Sequence, residues 1–192
     1  ANDTRFMAGA ITAAASDKAA RFLQLCNGFG LPVISLVDCP GYMVGQAAEA
    51  ESLVRRASRM LVAGAALQVP MIAVVLRRGY GLGAQAMAGG SLHEPVLTVA
   101  WPGAHLGPMG LEGAVRLGLR KELEAIADES EREGRVREVT AVAQENAKAL
   151  NAAMLFEIDD VIDPAETRSV IAATLTAADL PHRSDGRFVD TW

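Results

Sequence analysis

An apolar run that breaks into glycines and then becomes helical is the feature that most constrains the fold of this chain. Residues 71–76 read MIAVVL, a composition typical of a strand that is buried on both faces. A glycine-rich turn at 79–83 follows and leads into a helix-forming segment. Glycine lets the backbone bend sharply, and the first N–H groups of the next helix have no carbonyl partner. Because the turn carries no evident nucleophile or metal ligand, its backbone N–H groups are candidate donors to a bound oxyanion.

Helical segments separate this run from two further apolar segments. The pattern predicts strands over residues 33–38 and 96–100, with a helix over 49–67 and a short helix that ends at Gly89 and Gly90. Strands that are separated by helices return parallel to one another, with a right-handed crossover. The sequence therefore predicts an α/β fold with a parallel sheet.

Further helices are predicted before the first of these strands and after the third. Ser16 and the aspartate after it form a good helix start. The densely charged stretch 122–145 is typical of a solvated pair of helices. Residues 156–162 predict a turn and a short edge strand, and a final helix is expected over 164–178, followed by an extended tail after Pro181.

Three loops are expected to meet at one edge of the sheet, since the carboxyl ends of parallel strands lie together. They contain Asp38, the turn at 81–83 and residues 101–103. Asp38 could serve as a base or a metal ligand, but an aspartate before a Pro-Gly pair more often caps the turn, and we favour capping. His93 and His105 flank the third strand without nearby carboxylates or thiols in sequence, so no metal site is expected.

Composition excludes several classes of protein. The 192 residues are 51% hydrophobic and 21% charged, which fits one globular domain. The net charge of −5, with both signs mixed along the chain, argues against nucleic-acid binding. No apolar segment approaches the roughly 20 residues of a membrane helix. Cys26 and Cys39 are interpreted as small buried hydrophobes, and we expect a cytoplasmic location.

Two weaker patterns leave alternatives open. Residues 81–86 read GLGAQA and fit the loose dinucleotide fingerprint, but the acidic residue expected roughly 20 positions later is absent. Arg55, Arg56 and Arg59 recur along the predicted second helix, where a solvated face is the simplest interpretation. The alternative is recognition of a carboxylate or of the phosphates of a nucleotide-like cofactor, and Arg55 is our candidate for that contact.

A series of motifs in one order resembles a known family. The motifs, as they stand here, are SDKAARF (16–22), LVDCPGY (36–42), YG (80–81), AWP (100–102), MGLEGAV (109–115) and DDVIDPAETR (159–168). Together they resemble the C-terminal domain of the carboxyltransferase β subunit of biotin-dependent acyl-CoA carboxylases, of the acetyl-/propionyl-CoA type. The resemblance implies a crotonase-like (ClpP/crotonase) spiral of ββα units over residues 1–192. It also implies that the N-terminal half of the subunit is absent, so that the isolated chain is inactive.

The resemblance also implies a mechanism and a set of site residues. Carboxybiotin releases carbon dioxide, the biotin nitrogen takes the α-proton of the acyl-CoA, and the enolate is carboxylated. The backbone N–H groups of Leu82 and Gly83, which stand where the family usually has Gly-Ala, are then the oxyanion hole, facing the ureido oxygen of biotin. Four neighbouring residues are carried over with them as substrate-binding residues: Tyr80, Gly81, Ala84 and Gln85.

At two of these four positions the sequence differs from the family that it resembles. Gln85 occupies the position of an aspartate that shapes acyl-chain choice in propionyl-CoA carboxylases, and Ala84 replaces an aromatic residue. The implied partners are biotin on a separate carrier protein, a biotin carboxylase subunit, an acyl-CoA and further copies of the chain in a dimer or larger oligomer. The alternatives left open are a biotin-dependent decarboxylase or transcarboxylase subunit and a nonenzymatic crotonase-like module.

Overall fold

A parallel sheet forms the centre of the structure, a computed structural model that describes residues 1–178. The predicted tail after Pro181 lies outside these residues. Within them the strands are β1 (Val33–Cys39), β2 (Met71–Tyr80), β3 (Leu97–Ala100), β4 (His105–Gly107) and β5 (Asp160–Val161). Their order is β1-β2-β3-β5, with β4 paired to the end of β2, and every pair is parallel. The predicted parallel sheet is confirmed.

Helices connect and cover the strands. In chain order they are α1 (Ala13–Phe29), α2 (Gln46–Ala50), α3 (Leu53–Ala65), α4 (Gly81–Met87), α5 (Leu111–Gly118), α6 (Arg120–Ala125), α7 (Glu129–Asn146), α8 (Ala149–Met154) and α9 (Thr167–Ala177). Short 3₁₀ turns lie at Met7–Gly9 and Pro164–Glu166. No helix within residues 1–178 is long and apolar enough to cross a membrane.

The structure corrects two helix boundaries. α1 begins after Thr12, whose hydroxyl oxygen accepts a hydrogen bond from the backbone of Ala15, so Ser16 lies inside the helix and is buried. The single helix predicted over 49–67 is divided into α2 and α3 by Ser52, whose φ of 59° is incompatible with a continuous helix. The helical spacing of apolar residues continues across Ser52, so the sequence does not predict the break.

The apolar run in β2 is buried because both faces of the sheet are covered at its centre. Ile72 and Val74 point into a cluster with residues of α9, while Met71 and Val75 pack on the opposite side under α1, α3 and α4. Alternation of side chains along a strand produces this division. Ile72, Val74 and Val75 have no exposed surface, which accounts for a continuous rather than alternating apolar sequence.

The second half of β2 keeps β1 as a partner, through Gly79 and Cys39, but exchanges β3 for β4. Its beginning pairs with β1 and β3, whereas Arg78, Gly79 and Tyr80 pair with the three residues of β4. Strand β2 is therefore longer than the predicted run, and the glycine-rich turn follows Tyr80. Helix α4 starts directly at Gly81.

Candidate functional site

Two closely packed glycines define the turn at the start of α4. Gly81 has a φ of +59°, and a Cβ atom there would lie 2.8 Å from the carbonyl oxygen of Pro108. A Cβ atom on Gly83 would lie 2.7 Å from the carbonyl carbon of Gly41 and 2.9 Å from Sγ of Cys39. Both positions therefore exclude a side chain. Leu82, between them, has an exposed side chain, 62% accessible.

The backbone N–H groups of Leu82 and Gly83 are the donors that this turn offers. Both belong to the first turn of α4, where an N–H group has no carbonyl partner in the helix ladder. Outside helix and strand ladders, none of the hydrogen bonds in residues 1–178 is donated by either group. Partial positive charge at the start of the helix adds to their attraction for an anionic oxygen. The arrangement can bind and polarise a carbonyl oxygen.

A cavity of about 320 Å³ opens beside the turn. Gly81, Ala84 and Gln85 form one wall. The rest of the lining comes from β4 and from the end of α7 through α8, and it includes Asn146, Lys148, Asn151 and Leu155. Apolar surface predominates, with amide, ammonium and carboxylate groups at a few points, as in sites for small molecules.

The structure places the predicted site residues in three environments. Gly81, Ala84 and Gln85 line the cavity, and Ala84 is almost fully buried. Tyr80 is also buried, and burial raises the pKa of its phenol. Arg55 lies outside the cavity wall, on the exposed side of α3.

The other two arginines of α3 are not simply a solvated face. Arg56 Nε lies 2.6 Å from one carboxylate oxygen of Asp17 on α1, and Arg59 Nη1 lies 3.3 Å from the other. These contacts tie α3 to α1. Arg55 differs from Arg56 and Arg59. Its side chain is exposed, and no carboxylate within residues 1–178 lies within 4 Å of its guanidinium group.

The expectation that Asp38 caps its own turn is wrong. Its carboxylate instead binds Arg77, with Nη2 at 2.8 Å, and Arg78, with Nε at 2.8 Å. Burial alone would raise the pKa of Asp38, but the hydrogen bonds from the two guanidinium groups outweigh it and hold the pKa below its ordinary value. The adjacent pair of arginines after an apolar run was a signal that sequence reasoning could have used.

The cavity wall supplied by residues 146–157 was missed altogether. The sequence predicted a solvated helical pair up to residue 145 and attached no function to the segment after it. Backbone hydrogen bonds from Leu106 to Ala147 and from Ala149 to Ala104 bring this segment to β4. Such a contact between distant parts of the chain leaves no local pattern in the sequence.

The interpretation of the cysteines as buried hydrophobes is confirmed. Cys26 and Cys39 are free thiols with little or no exposed surface, and burial raises the pKa of each. Within residues 1–178 no group of three or more His, Cys, Asp or Glu side chains is placed to hold a metal ion.

Comparison with known proteins extends the description. The family profile described as carboxyl transferase domain matches residues 1–185. The chain is 38% identical over 180 residues to the methylmalonyl-CoA carboxyltransferase 12S subunit of Propionibacterium freudenreichii subsp. shermanii, covering 91% of this chain and 33% of that protein. It is 37% identical over 175 residues to the propionyl-CoA carboxylase carboxyltransferase subunit of Haloferax mediterranei, with the same coverage. The chain thus spans about a third of the length of these relatives.

Solved structures of related enzymes have a similar fold. A structure described as a single-chain, multi-domain long-chain acyl-CoA carboxylase has a TM-score of 0.82 and 53% identity, and the match covers 90% of this chain and 17% of that one. The transcarboxylase 12S structure, a hexamer with methylmalonyl-CoA bound, has a TM-score of 0.81 and 35% identity over 97% of this chain and 36% of that one.

Proposed function

The chain belongs to the carboxyl transferase domain family, and from that membership we propose that it forms one half of a biotin-dependent acyl-CoA carboxyltransferase site. Its α/β fold is the crotonase-like fold of these enzymes, as predicted. The activity that we propose is transfer of a carboxyl group from carboxybiotin to the α-carbon of an acetyl- or propionyl-type acyl-CoA. The chain is then the C-terminal carboxyltransferase domain of its enzyme.

The observation that carries this proposal is the turn at the start of α4. Gly81 and Gly83 are held in backbone contact with Pro108 and Gly41, so the N–H groups between them have a fixed direction. Fixed donors stabilise developing negative charge without reorganising during the reaction. We assign the N–H groups of Leu82 and Gly83 as an oxyanion hole on these grounds.

The residues present fit a small ureido group. The turn provides unpaired backbone donors, and the adjoining cavity of about 320 Å³ falls at the lower end of the roughly 300–1,000 Å³ of small-molecule sites. When bound, carboxybiotin supplies carbon dioxide together with a nitrogen that takes the substrate's α-proton. The task of Leu82 and Gly83 is to hold the ureido oxygen and favour negative charge on it. Gly81, Ala84 and Gln85 shape the wall beside it.

The acyl group is the least determined part of the substrate. Two relatives are named for propionyl-CoA or methylmalonyl-CoA, whereas the structure described as a long-chain acyl-CoA carboxylase is more similar in sequence, at 53% identity. Ala84, a small residue in the cavity wall, leaves room that an aromatic side chain would fill. A longer acyl chain is therefore our second candidate for the substrate.

The remaining parts of the enzyme belong to this proposal as well. Because the chain spans about a third of its relatives' length, we propose that the second oxyanion hole and most of the coenzyme A site are supplied by another domain. The expected partners are a biotin carboxylase, a biotin carrier and further copies of the chain. The 12S transcarboxylase, described as a hexamer, supports the expectation of an oligomer.

The test is carboxylation of acetyl-, propionyl- and longer acyl-CoA by the carboxylase that contains this chain, with its biotin carboxylase and carrier. Product that depends on biotin and is abolished by Gly83→Pro would support the proposed hole and identify the acyl group. Product formed from a carboxylated acyl-CoA donor, without biotin carboxylase, would instead indicate a transcarboxylase. Absence of product with every acyl-CoA would reject the proposal.

A further inference from the structure

Strand β2 contains a bulge opposite Asp38. In the ladder with β1, Val75 pairs with Val37, and the next registered pair is Gly79 with Cys39. β1 thus advances by two residues where β2 advances by four. The extra residues of β2 fall in the segment that contains Arg77 and Arg78.

The bulge accounts for two ion pairs that share one carboxylate. Consecutive side chains of a strand point to opposite faces, yet Arg77 and Arg78 both reach the carboxylate of Asp38. Arg77 Nε and Nη2 lie 3.0 Å and 2.8 Å from Oδ2, and Arg78 Nε lies 2.8 Å from Oδ1. Bulges commonly re-aim side chains next to active sites. The Asp38 side chain is only 13% exposed, so its charge is compensated mainly by these two residues.

The bulge is also the point where β2 changes partners. Up to Val75 the strand lies between β1 and β3, whereas beyond the bulge Gly79 still pairs with β1 and the residues from Arg78 to Tyr80 pair with β4 in place of β3. The turn at Gly81–Gly83 is attached to this second part. Because a bulge bends the strand that contains it, we expect the direction of the turn to depend on this bulge.

A second set of contacts encloses the same point. Arg78 Nη2 donates to the carbonyl oxygen of Ala8 at 2.6 Å, and the backbone N–H of Asp38 donates to the side chain of Asn2 at 3.1 Å. A Cβ atom on Gly9 would lie 2.6 Å from the carbonyl oxygen of Asp38. The N-terminal segment thus packs directly over the ion pairs.

We propose that Asp38 is a positioning residue, whose two ion pairs fix the bend of β2 and thereby orient the N–H groups of Leu82 and Gly83. This inference rests on the proposed oxyanion hole. Asp38 itself makes no contact with substrate in this role. It acts on the reaction through the backbone that follows Arg78.

The test is Asp38→Asn in the complete carboxylase, with Asp17→Asn as a matched control. Asp17 also binds two arginines, but all three residues belong to α1 and α3 and none lies in the strand that leads into the turn. We expect Asp38→Asn to lower kcat roughly 10- to 100-fold, the cost of a misplaced catalytic group, with the KM for acyl-CoA within about twofold. Asp38→Glu, which retains the charge, is expected to recover part of kcat. Asp17→Asn is expected to leave kcat within about twofold.

A second variant keeps the inference testable if Asp38→Asn fails to fold. Arg77, with a side chain 58% exposed, tolerates substitution more readily than Asp38. Arg77→Gln is expected to lower kcat several-fold, with KM and the thermal unfolding midpoint nearly unchanged. Where both single variants fold, the double variant of Asp38→Asn with Arg77→Gln should show a smaller fold-loss of kcat than the product of the two single losses. Such non-additivity is expected because the two residues act together.

The two proposals fail in different ways. If the wild-type enzyme carboxylates no acyl-CoA, the proposed function is wrong. If the wild type is active and Gly83→Pro is inactive, but Asp38→Asn or Arg77→Gln retains full kcat, only the positioning role is wrong. The positioning role would also be wrong if Asp17→Asn and Asp38→Asn lost kcat to the same extent and each loss matched the loss of folded protein.

Discussion

Gly83 and Gly41 are in backbone contact: a Cβ atom on Gly83 would lie 2.7 Å from the carbonyl carbon of Gly41. The start of α4 therefore rests directly on the turn that follows β1. A methyl group on Gly83 would collide with the backbone of Gly41, which cannot move aside as a neighbouring side chain could by changing its rotamer.

We predict that Gly83→Ala lowers kcat at least tenfold in the complete enzyme of the proposed function, since the start of α4 must move away from the turn after β1. Gly118→Ala is the control, because Gly118 has open space around its Cβ position. Steady-state kinetics and the thermal unfolding midpoint of both variants check the prediction. Wild-type kcat in Gly83→Ala would show that the turn is not held by this contact.

Ala84→Tyr is predicted to shift acyl-chain preference toward shorter chains. The alanine is buried in the wall of the cavity, and an aromatic side chain would occupy part of its volume. We expect kcat/KM for long acyl-CoA to fall about tenfold or more relative to acetyl-CoA. Ala141→Tyr, at an exposed position of α7, should leave the ratio unchanged. Equal loss for all acyl-CoA lengths would place the acyl chain elsewhere.

Arg55→Ala is predicted to raise the KM for acyl-CoA with little change in kcat. An exposed charged contact contributes roughly 0.2–1 kcal/mol, which corresponds to an increase in KM of about 1.4- to fivefold. Arg120→Ala on α6 is the control, because its exposed side chain pairs with Glu124 on the same helix. An unchanged KM would assign Arg55 to the solvated surface, the simpler interpretation of its sequence pattern.

Acid unfolding should report the ion pairs of Asp38. Its pKa is lowered in the folded chain, so the stabilisation is present above the ordinary value near 3.8 and is lost as pH falls through the folded-state pKa. We predict that the free energy of unfolding decreases below about pH 4 in the wild type and decreases less steeply in Asp38→Asn. Denaturant titrations at a series of pH values measure both slopes. Identical slopes would mean that the carboxylate keeps its ordinary pKa.

Neither cysteine should react with a thiol reagent while the chain is folded. Cys26 and Cys39 are buried, and burial raises the pKa of both, so access and thiolate content are low. Colorimetric titration should detect both thiols only after denaturant is added. Ala141→Cys, on an exposed position, provides the positive control. Rapid labelling of Cys26 or Cys39 in the folded wild-type chain would show that local opening of the core requires little free energy.

The sequence predicted the parts of the fold that depend on local patterns. Apolar runs between helices were sufficient for the parallel sheet, and the glycines were sufficient for the turn before α4. The bulge in β2 was not predicted, because register is set by pairing with β1 rather than by composition. The ion pairs of Asp38 depend on that bulge, so the expectation of a turn cap was wrong for the same reason.

The candidate site shows the same limit. Local motifs placed Gly81, Ala84 and Gln85, which share one cavity wall in the structure. The other part of the lining, with Asn151 and Leu155, is distant in sequence and was not predicted. Periodicity describes which face of a helix is apolar, but it does not identify the element that the face meets.

The separation of the two cavity walls along the chain has a consequence for folding kinetics. Contacts between residues that are distant in sequence carry a large loop-closure cost and slow the folding of a domain. Ala84 belongs to a local strand-turn-helix unit, whereas Asn151 reaches the cavity only through long-range contacts, so we expect the segment at Asn151 to dock later in folding. Substitutions at Asn151 are thus expected to change the unfolding rate more than the folding rate. The cavity would then be among the last parts of the chain to form and among the first to open.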